Sequence, residues 1–220
     1  MQHAALDRQN ISEELADRIR EMIVDGIIPD DSRINEVHLA RELGVSRTPL
    51  REAIARLIRE GTLTSLPRVG AFVKPLSIED FEQVYSIRKL LDPEALRLSG
   101  IPPKSQIDRL ERLNGRIGSA NSPHQAIELD DEWHLLLVSA CPNQLLLDLI
   151  RDFIGRTRRY EIALMREHEN VTRATHEHDW IMRALRKGDL GAAVDGLRRN
   201  MESGFQPILD WLLSREGAKG

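Results

Sequence analysis

Residues 36–61 read EVHLARELGVSRTPLREAIARLIREG, and this stretch decides the fold of the first third of the chain. Apolar residues at positions 39, 40 and 43 predict a short helix, which Asn35 caps and Gly44 ends. Ser46 caps a second helix, whose buried face is formed by Leu50, Ala53, Ile54, Leu57 and Ile58. Two helices joined by a tight glycine turn, the second with a polar and basic first turn, are typical of a helix-turn-helix.

The sequence on either side extends this motif into a larger unit. Before it, apolar residues recur at helical spacing from position 11 to position 23 and predict an amphipathic helix, which Gly26 and Pro29 end. After it, residues 62–66 and 70–73 are β-prone runs separated by Pro67, Arg68 and Val69, which predicts a hairpin. We therefore expect a winged helix-turn-helix domain over residues 8–76.

The charge of this region points to a nucleic-acid partner. Residues 47–74 contain six basic and two acidic side chains, a balance of +4, although the whole chain carries a net charge of −4. Arg47 and Arg51 lie four residues apart and therefore share a helix face. Arginine can hold guanine or phosphate with paired hydrogen bonds, and a helix N-terminus attracts phosphate. The alternative is that these arginines form an ordinary solvated basic face. We expect instead that this region contacts double-stranded DNA through Ser46, Arg47, Thr48, Arg51 and Arg68.

The rest of the chain, residues 77–215, is predicted to be an all-helical domain. Apolar periodicity and the proline, glycine and asparagine residues between the periodic segments predict helices at 78–98, 103–117, 123–140, 144–166, 171–186 and 190–213. Six helices can enclose a ligand pocket. The predicted fold is therefore mainly α, with a winged helix-turn-helix followed by a helical bundle.

The composition excludes several other classes of protein. A chain of 220 residues with 41% apolar and 30% charged residues is too apolar for disorder. The apolar runs are far shorter than the roughly 18 residues of a membrane span, and the N-terminus lacks an apolar signal core, so we expect a cytoplasmic protein with no membrane partner. Cys141 is the single cysteine, which excludes an intrachain disulfide and a cysteine metal cluster.

Two runs carry a resemblance to a known family. Residues 36–61 and the run PRVGAFV at 67–73, above all SRTPLREA at 46–53, resemble the winged helix-turn-helix of the GntR family of bacterial transcription regulators. The resemblance spans about residues 8–76. It implies that Arg47, Thr48, Arg51 and the hairpin at Arg68 and Gly70 contact operator DNA. Val37 stands where some relatives have an arginine that contacts DNA.

A second resemblance covers nearly all of the remaining chain. The runs VYSIRKLLDPEA at 84–95, DDEWH at 130–134 and EH at 177–178 resemble the FCD effector domain of the FadR-type GntR subfamily. The resemblance implies a homodimer whose helical domain binds a small organic acid. It also implies that Arg88 clamps the carboxylate of that acid, and arginine is well shaped for this role. The alternative for Arg88 is a salt bridge between helices with an acid such as Asp92.

The same resemblance implies a divalent metal ion such as Zn, Mn or Ni. Asp130 and His134 lie four apart on one predicted helix and can share a cation, which His178 from another helix could complete. The family usually adds a histidine about 22 residues after the one matching His178, and this chain has Asn200 there. An amide oxygen is a weaker ligand than imidazole, which leaves a loosely held ion, a harder ion or an empty site. Without the resemblance, Asp130 and His134 read as an ordinary exposed pair.

The leading interpretation is a ligand-responsive regulator, acting as a repressor, that binds operator DNA as a homodimer. An alternative from another class is a metal-dependent hydrolase in which Asp130, His134 and His178 hold an ion that activates water. No general base or nucleophile is recognisable beside these residues, and the winged domain would have no role in a hydrolase. A third alternative is a structural helical dimer that binds DNA without an effector. The sequence therefore favours a protein that is not an enzyme.

Overall fold

The computed structural model describes the backbone of residues 2–217 and the side chains of residues 11–215. The chain divides into two compact units, Met1–Leu76 and Ser77–Gly220. Among the described helices, none combines the length and the apolar character needed to cross a membrane.

The first unit has the elements that the sequence predicts. They are α1 (Gln2–Val24), α2 (Glu36–Glu42), α3 (Arg47–Arg59) and two antiparallel strands, β1 (Leu63–Leu66) and β2 (Gly70–Val73). Asn35 caps α2, because its side chain accepts a hydrogen bond of 3.1 Å from the backbone N–H of His38. Gly44 turns the chain between α2 and α3 with a φ of +67°, a conformation that glycine adopts without strain. The helix-turn-helix and the hairpin, or wing, are confirmed.

The wing is supported by a segment that the sequence did not reveal. The backbone N–H of Ile34 donates to the Ala71 carbonyl at 2.8 Å, and that of Val73 donates to the Ser32 carbonyl at 2.9 Å. Residues 31–34 therefore pair with the free side of β2. This stretch is too short and too polar to show the alternation of a strand.

The core of the first unit joins the three helices to the wing. Leu50 and Leu57 of α3 are buried against Ile19 of α1, and Leu63 and Val73 extend the same cluster into the wing. Arg20 of α1 is also buried, and it donates to Glu60, just after α3, at 2.8 Å. These contacts fix α3 with its N-terminal turn exposed.

In the second unit, all regular elements among the described residues are helices. Its elements are α4 (Ile78–Ser99), α5 (Lys104–Gly118), α6 (Pro123–Leu137), α7 (Gln144–Leu164), α8 (His168–Arg186), α9 (Leu190–Ser203) and α10 (Phe205–Gly217). The bundle packs mainly through the pairs α5–α6, α8–α9, α4–α9, α5–α8 and α4–α7. The predicted helical bundle is confirmed.

One predicted helix, residues 190–213, is wrong as a single element, because it is divided into α9 and α10. Pro207 lacks the N–H that would donate to the carbonyl of Ser203, and its ring occupies the space that this carbonyl needs. The helix therefore ends at Ser203, and Gly204 leads into α10. Phe205, the first residue of α10, stacks on Phe81 of α4 with ring centroids 5.1 Å apart.

Candidate functional site

The first candidate site is the exposed N-terminal turn of α3. Ser46, Arg47, Thr48 and Arg51 are all exposed there. Ser46 is the N-cap residue, but its side chain makes no capping hydrogen bond, so the hydroxyl and the first N–H groups of α3 can meet an anion. The structure therefore brings together the predicted DNA-contacting residues of this helix.

A groove of about 480 Å³ runs between this turn and the wing. Arg47, Arg51 and Gly70 line it together with Arg33, a residue that the sequence reasoning missed. Gly70 has a φ of +126°, which favours glycine, and a Cβ there would lie 3.3 Å from Nε of Arg33, so the Arg33 side chain would have to shift slightly. Arg68 lies outside this groove, exposed in the wing turn with a φ of +65°.

Glu36 of α2 holds the two arginines of α3. Nε of Arg51 donates to the Glu36 carboxylate at 2.7 Å, and a terminal nitrogen of Arg47 lies 3.6 Å from the same oxygen. The hydrogen bond from Arg51, together with the charges of both arginines, lowers the pKa of Glu36. Glu36 therefore stays ionised and restrains both guanidinium groups.

We expect Glu36→Gln to reduce the discrimination between operator and random DNA by about tenfold, the lower part of the range for one well-formed base contact. The variant removes a negative charge from the surface that is expected to meet phosphate, so random DNA should bind more tightly, while both arginines lose an ionic restraint. Gel-shift titrations against the two duplexes measure this ratio. Glu42→Gln removes the same charge from the end of α2 and serves as control. Equal ratios for the two variants would contradict the role of Glu36.

The second candidate site is a buried cluster of Asp130, His134 and His178 in the second unit. One ligand atom from each residue lies within 4.8 Å of the others. Oδ2 of Asp130 lies 3.6 Å from Nε2 of His134, and Oδ1 of Asp130 lies 3.6 Å from Nε2 of His178. These separations are too long for hydrogen bonds but suit two ligands that share one ion at about 2.1 Å each. Asp130 and His134 are 8% and 2% exposed, so the alternative of an exposed pair is wrong.

Asn114 of α5 sets the tautomer of His178. Nδ2 of Asn114 donates to the Thr175 carbonyl at 2.9 Å and to the Asp179 carboxylate at 2.8 Å, so the amide oxygen must face His178. This oxygen lies 3.0 Å from Nδ1 of His178, which therefore carries the proton. The lone pair of Nε2 is left pointing towards Asp130. A second partner of this kind commonly orients a metal-binding histidine.

His134 has a carboxylate behind it. Nδ1 of His134 lies 3.9 Å from Asp92, which is fully buried. Burial raises the pKa of Asp92 to about 6 and lowers the pKa of His178 to about 3, and it also lowers the pKa of His134. Both imidazoles are therefore neutral at pH 7, which is the protonation state that binds a cation.

The cluster opens onto a cavity of about 50 Å³. Arg88, Asp130, His134 and Asn200 line it, so the structure brings together the predicted effector and metal residues, with His178 beside Asp130. About 10–15 Å³ of such volume holds one water molecule, so the cavity has room for a few waters or a small ligand. Burial, reinforced by Asp131 and Glu161, raises the pKa of Asp130.

Arg88 is 3% exposed and forms an ion pair with Glu161 of α7. It also donates to the Thr157 hydroxyl at 2.8 Å. The alternative of a salt bridge between helices for Arg88 is therefore confirmed, with Glu161 as its acid rather than Asp92. Nε of Arg88 is buried and has no hydrogen-bond partner among the described residues, so one donor is left for a ligand.

Arg173 of α8 is a cavity residue that sequence reasoning missed. Its guanidinium donates to the Asn170 side chain at 2.7 Å, and its buried Nε finds no acceptor in the part of the chain that the structure describes. It lines the same cavity as Arg88. Its position three residues after Asn170 on one helix was visible in the sequence, but its approach to α4 depends on helix packing.

Two family models match the chain, one over most of each unit. The FCD domain model matches residues 83–203, more than half of the chain, and the model described as bacterial regulatory proteins, gntR family, matches residues 11–73. The chain is a GntR-family transcriptional regulator with an FCD domain. Regulators of this family bind operator DNA and are not enzymes, so the hydrolase alternative is set aside.

Individual relatives of this GntR-family regulator include the Nta operon transcriptional regulator of Aminobacter aminovorans. It is 33% identical over 181 residues, which cover 81% of this chain and 85% of the relative. The gluconate operon transcriptional repressor of Bacillus subtilis is 26% identical over 98% of this chain and 92% of its own length.

Solved structures share the fold. E. coli McbR/YncC superposes with a TM-score of 0.74 over 91% of this chain and 98% of its own, at 19% identity. A GntR-family regulator from Pseudomonas syringae covers 99% of this chain and 90% of its own with a TM-score of 0.55 at 27% identity.

Proposed function

We propose that this regulator senses a small carboxylic acid through a divalent metal ion in its second unit, and that the acid changes its affinity for operator DNA. In this proposal residues 8–76 bind the DNA, and residues 77–215 bind the effector and form the dimer. The observation that carries the proposal is the buried cluster of Asp130, His134 and His178. Its carboxylate oxygens and imidazole nitrogens face one another but are too far apart to form hydrogen bonds with each other.

The residues present fit a metal ion. Oδ1 of Asp130 and Nε2 of His178 are buried without a hydrogen-bond partner in the described part of the chain, and so is Oδ1 of Asn200. Leaving buried polar atoms unpaired is unfavourable by about 1–3 kcal/mol each, so a ligand for all of them is expected. Asp130, His134, His178 and Asn200 would hold the ion. A bound Zn, Mn or Ni ion supplies a Lewis acid that binds carboxylate oxygen.

The cavity also offers donors to a carboxylate. Among the described residues that line it, Arg88 and Arg173 each have a buried Nε without an acceptor, although Arg88 is also paired with Glu161 in the same lining. The curated relatives include a putative L-lactate dehydrogenase operon regulatory protein of Escherichia coli, 26% identical over 88% of this chain, as well as the gluconate operon repressor. Because the cavity of about 50 Å³ is small, we propose a short acid such as acetate or L-lactate as its ligand.

On the DNA side, Ser46, Arg47, Thr48 and Arg51 contact the major groove and its phosphates in this proposal, while Arg68 and Gly70 of the wing contact the neighbouring backbone or minor groove. A polar, basic helix turn with uncapped N–H groups supports this assignment. We propose that the protein acts as a repressor, as the name of the gluconate operon relative states for that protein. A chromosome-bound regulator works in the cytoplasm.

We also propose a homodimer, because the second unit exposes apolar side chains in pairs. Leu90 of α4 is 61% exposed and lies three residues after Ile87, which is also exposed. Leu145 of α7 is 71% exposed and lies four residues before exposed Leu149. Pairs at this spacing form apolar stripes of the kind that pack between subunits. A two-fold dimer would place its winged units on two DNA half-sites about 10 base pairs apart or at multiples of that spacing.

Ligand binding is expected to stabilise the protein if the site exists. With Mn²⁺ or Zn²⁺ at about 100 times its Kd, the gain is about 2.7 kcal/mol. That gain corresponds to a rise of about 5–10 °C in the Tm of a unit of this size. A further rise is expected when L-lactate or acetate is added with the ion. Differential scanning fluorimetry with each ion and acid, with and without EDTA, measures these shifts.

Asp130→Asn keeps the shape of the carboxylate but removes its charge, so the metal-dependent rise should disappear. Glu132→Gln makes the same change at an exposed position of α6 and should leave the rise intact. A wild-type Tm that does not respond to any of the ions would refute the metal, and one that responds to the ions but not to the acids would refute the effector assignment.

A further inference from the structure

Asn200 of α9 is held by a carboxylate outside the cavity. Its Nδ2 donates to Oε2 of Glu177 on α8 at 2.8 Å. The hydroxyl of Ser203 donates to the same carboxylate oxygen at 2.9 Å. Two donors thus hold Glu177 in place, and Glu177 in turn holds the amide of Asn200.

This contact determines which end of the amide faces inward. A carboxylate only accepts hydrogen bonds, so the nitrogen of Asn200 must face Glu177 and the oxygen must face away from it. Asn200 is 9% exposed, and its Oδ1 is buried with no partner among the described side chains. Asn200 lines the cavity that Asp130 and His134 also line. Asn200 therefore has an oriented, unpaired oxygen and lines the same cavity as two members of the Asp130–His134–His178 cluster.

We propose that Glu177 is a positioning residue that fixes Asn200 as an oxygen ligand and thereby sets the metal preference of the site. The inference rests on the metal site of the proposed function. With Asn200 oriented this way, the site offers two imidazole nitrogens and two oxygens instead of three nitrogens and one oxygen.

The exchange of nitrogen for oxygen changes selectivity without changing charge, because amide and neutral imidazole are both uncharged. Carboxylate and carbonyl oxygens suit Mn²⁺, whereas imidazole favours Ni²⁺ and Zn²⁺. With the amide oriented this way, the site should bind Ni²⁺ more tightly than Mn²⁺ by a smaller factor than a site with three imidazoles does. A freely rotating Asn200 could instead turn its N–H groups towards the ion and repel it.

Isothermal titration of the full chain with MnCl₂ and with NiCl₂ tests this inference in four variants. Asn200→His should raise the affinity for Ni²⁺ relative to Mn²⁺ by at least about tenfold. Asn200→Ala should weaken Mn²⁺ binding. Glu177→Ala should weaken it by about 10–100-fold, the range seen when an outer partner of a metal ligand is lost. Glu177→Gln loses the same charge but keeps an acceptor oxygen, so it should bind Mn²⁺ nearly as well as wild type.

The absorption spectrum of bound Co²⁺ provides a second readout that does not depend on affinity. Asn200→His should change the visible bands, because it changes a ligand atom, whereas Glu202→Gln, an exposed control on α9, should not. If Glu177→Ala does not fold, Asn200→Ala decides whether the amide is a ligand, and a loss of Mn²⁺ affinity in Glu177→Gln as large as that in Asn200→Ala would overturn the positioning role.

The possible failures are distinguishable. Unchanged Mn²⁺ affinity in Asn200→Ala, or equal loss in Glu177→Ala and Glu177→Gln, would overturn the positioning role while the metal site itself stands. No metal binding by the wild type, with Asp130→Asn behaving identically, would overturn the metal site and this inference with it.

Discussion

Replacing Arg51 with alanine is expected to weaken operator binding by about 1–3 kcal/mol, or about 5–150-fold, with lost discrimination at one base pair. Arg51 lies on the exposed face of α3, and Glu36 accepts a hydrogen bond from its Nε at 2.7 Å. This contact leaves the terminal amino groups of the fork to reach a base edge. Arg51 is thus restrained before DNA binds, which reduces the entropy lost on binding.

Fluorescence anisotropy with an operator selected from random duplexes, and with single-base variants of it, measures this effect. Arg59→Ala removes the same charge from the last turn of α3, away from the exposed N-terminal turn, and serves as the matched control. It should lower affinity modestly and equally for all duplexes. If Arg51→Ala and Arg59→Ala behaved alike on every duplex, Arg51 would not read a base.

Replacing Arg88 with alanine is expected to lower the free energy of unfolding by about 3–5 kcal/mol, the range for breaking a buried ion pair from one side. Glu161 would then be buried with its charge uncompensated, because Arg88 is its ion-pair partner. Urea unfolding of the metal-free protein measures the loss. Arg97→Ala breaks an exposed pair with Glu94 on the same helix and should change stability by less than about 1 kcal/mol.

The stability effect must be separated from a role in ligand binding. The double variant Arg88→Met with Glu161→Gln removes both charges together, so most of the lost stability should return. If Arg88 also holds the effector carboxylate, the double variant should fold yet lose the rise in Tm that L-lactate or acetate produces. An unchanged acid response in this variant would leave Arg88 with a structural role and Arg173 as the cation of the cavity.

The winged helix-turn-helix could be predicted because its signals are local. The cap at Asn35, the turn at Gly44 and the apolar face of α3 each involve residues within a few positions of one another. Glu36 and Arg33 were missed because their function depends on side chains from another element. Arg51, which donates to Glu36, lies 15 residues later in the chain. Local sequence signals therefore predict the helices and strands, but they do not predict the side-chain contacts between these elements.

The metal cluster could be predicted only partly. The i, i+4 spacing of Asp130 and His134 was visible, whereas their burial and the approach of His178 depend on the packing of separate helices. The partners that orient the ligands are farther apart still: Asn114 precedes His178 by 64 residues, and Arg88 precedes Glu161 by 73. The division of the last predicted helix was different, because Pro207 within the predicted segment was a local signal that could have revealed it.

Operator binding by the full chain, with and without ligand, tests most directly the claim that one protein couples acid sensing to DNA binding. Anisotropy titrations would be run with Mn²⁺ or Zn²⁺ and then with added L-lactate or acetate, in wild type and Asp130→Asn. A sensor of this kind should change its operator Kd by about 5–150-fold in wild type, the usual range of coupling between two sites, and not in Asp130→Asn. If an acid raises the Tm but leaves the operator Kd unchanged, the result would contradict the coupling between acid binding and DNA binding.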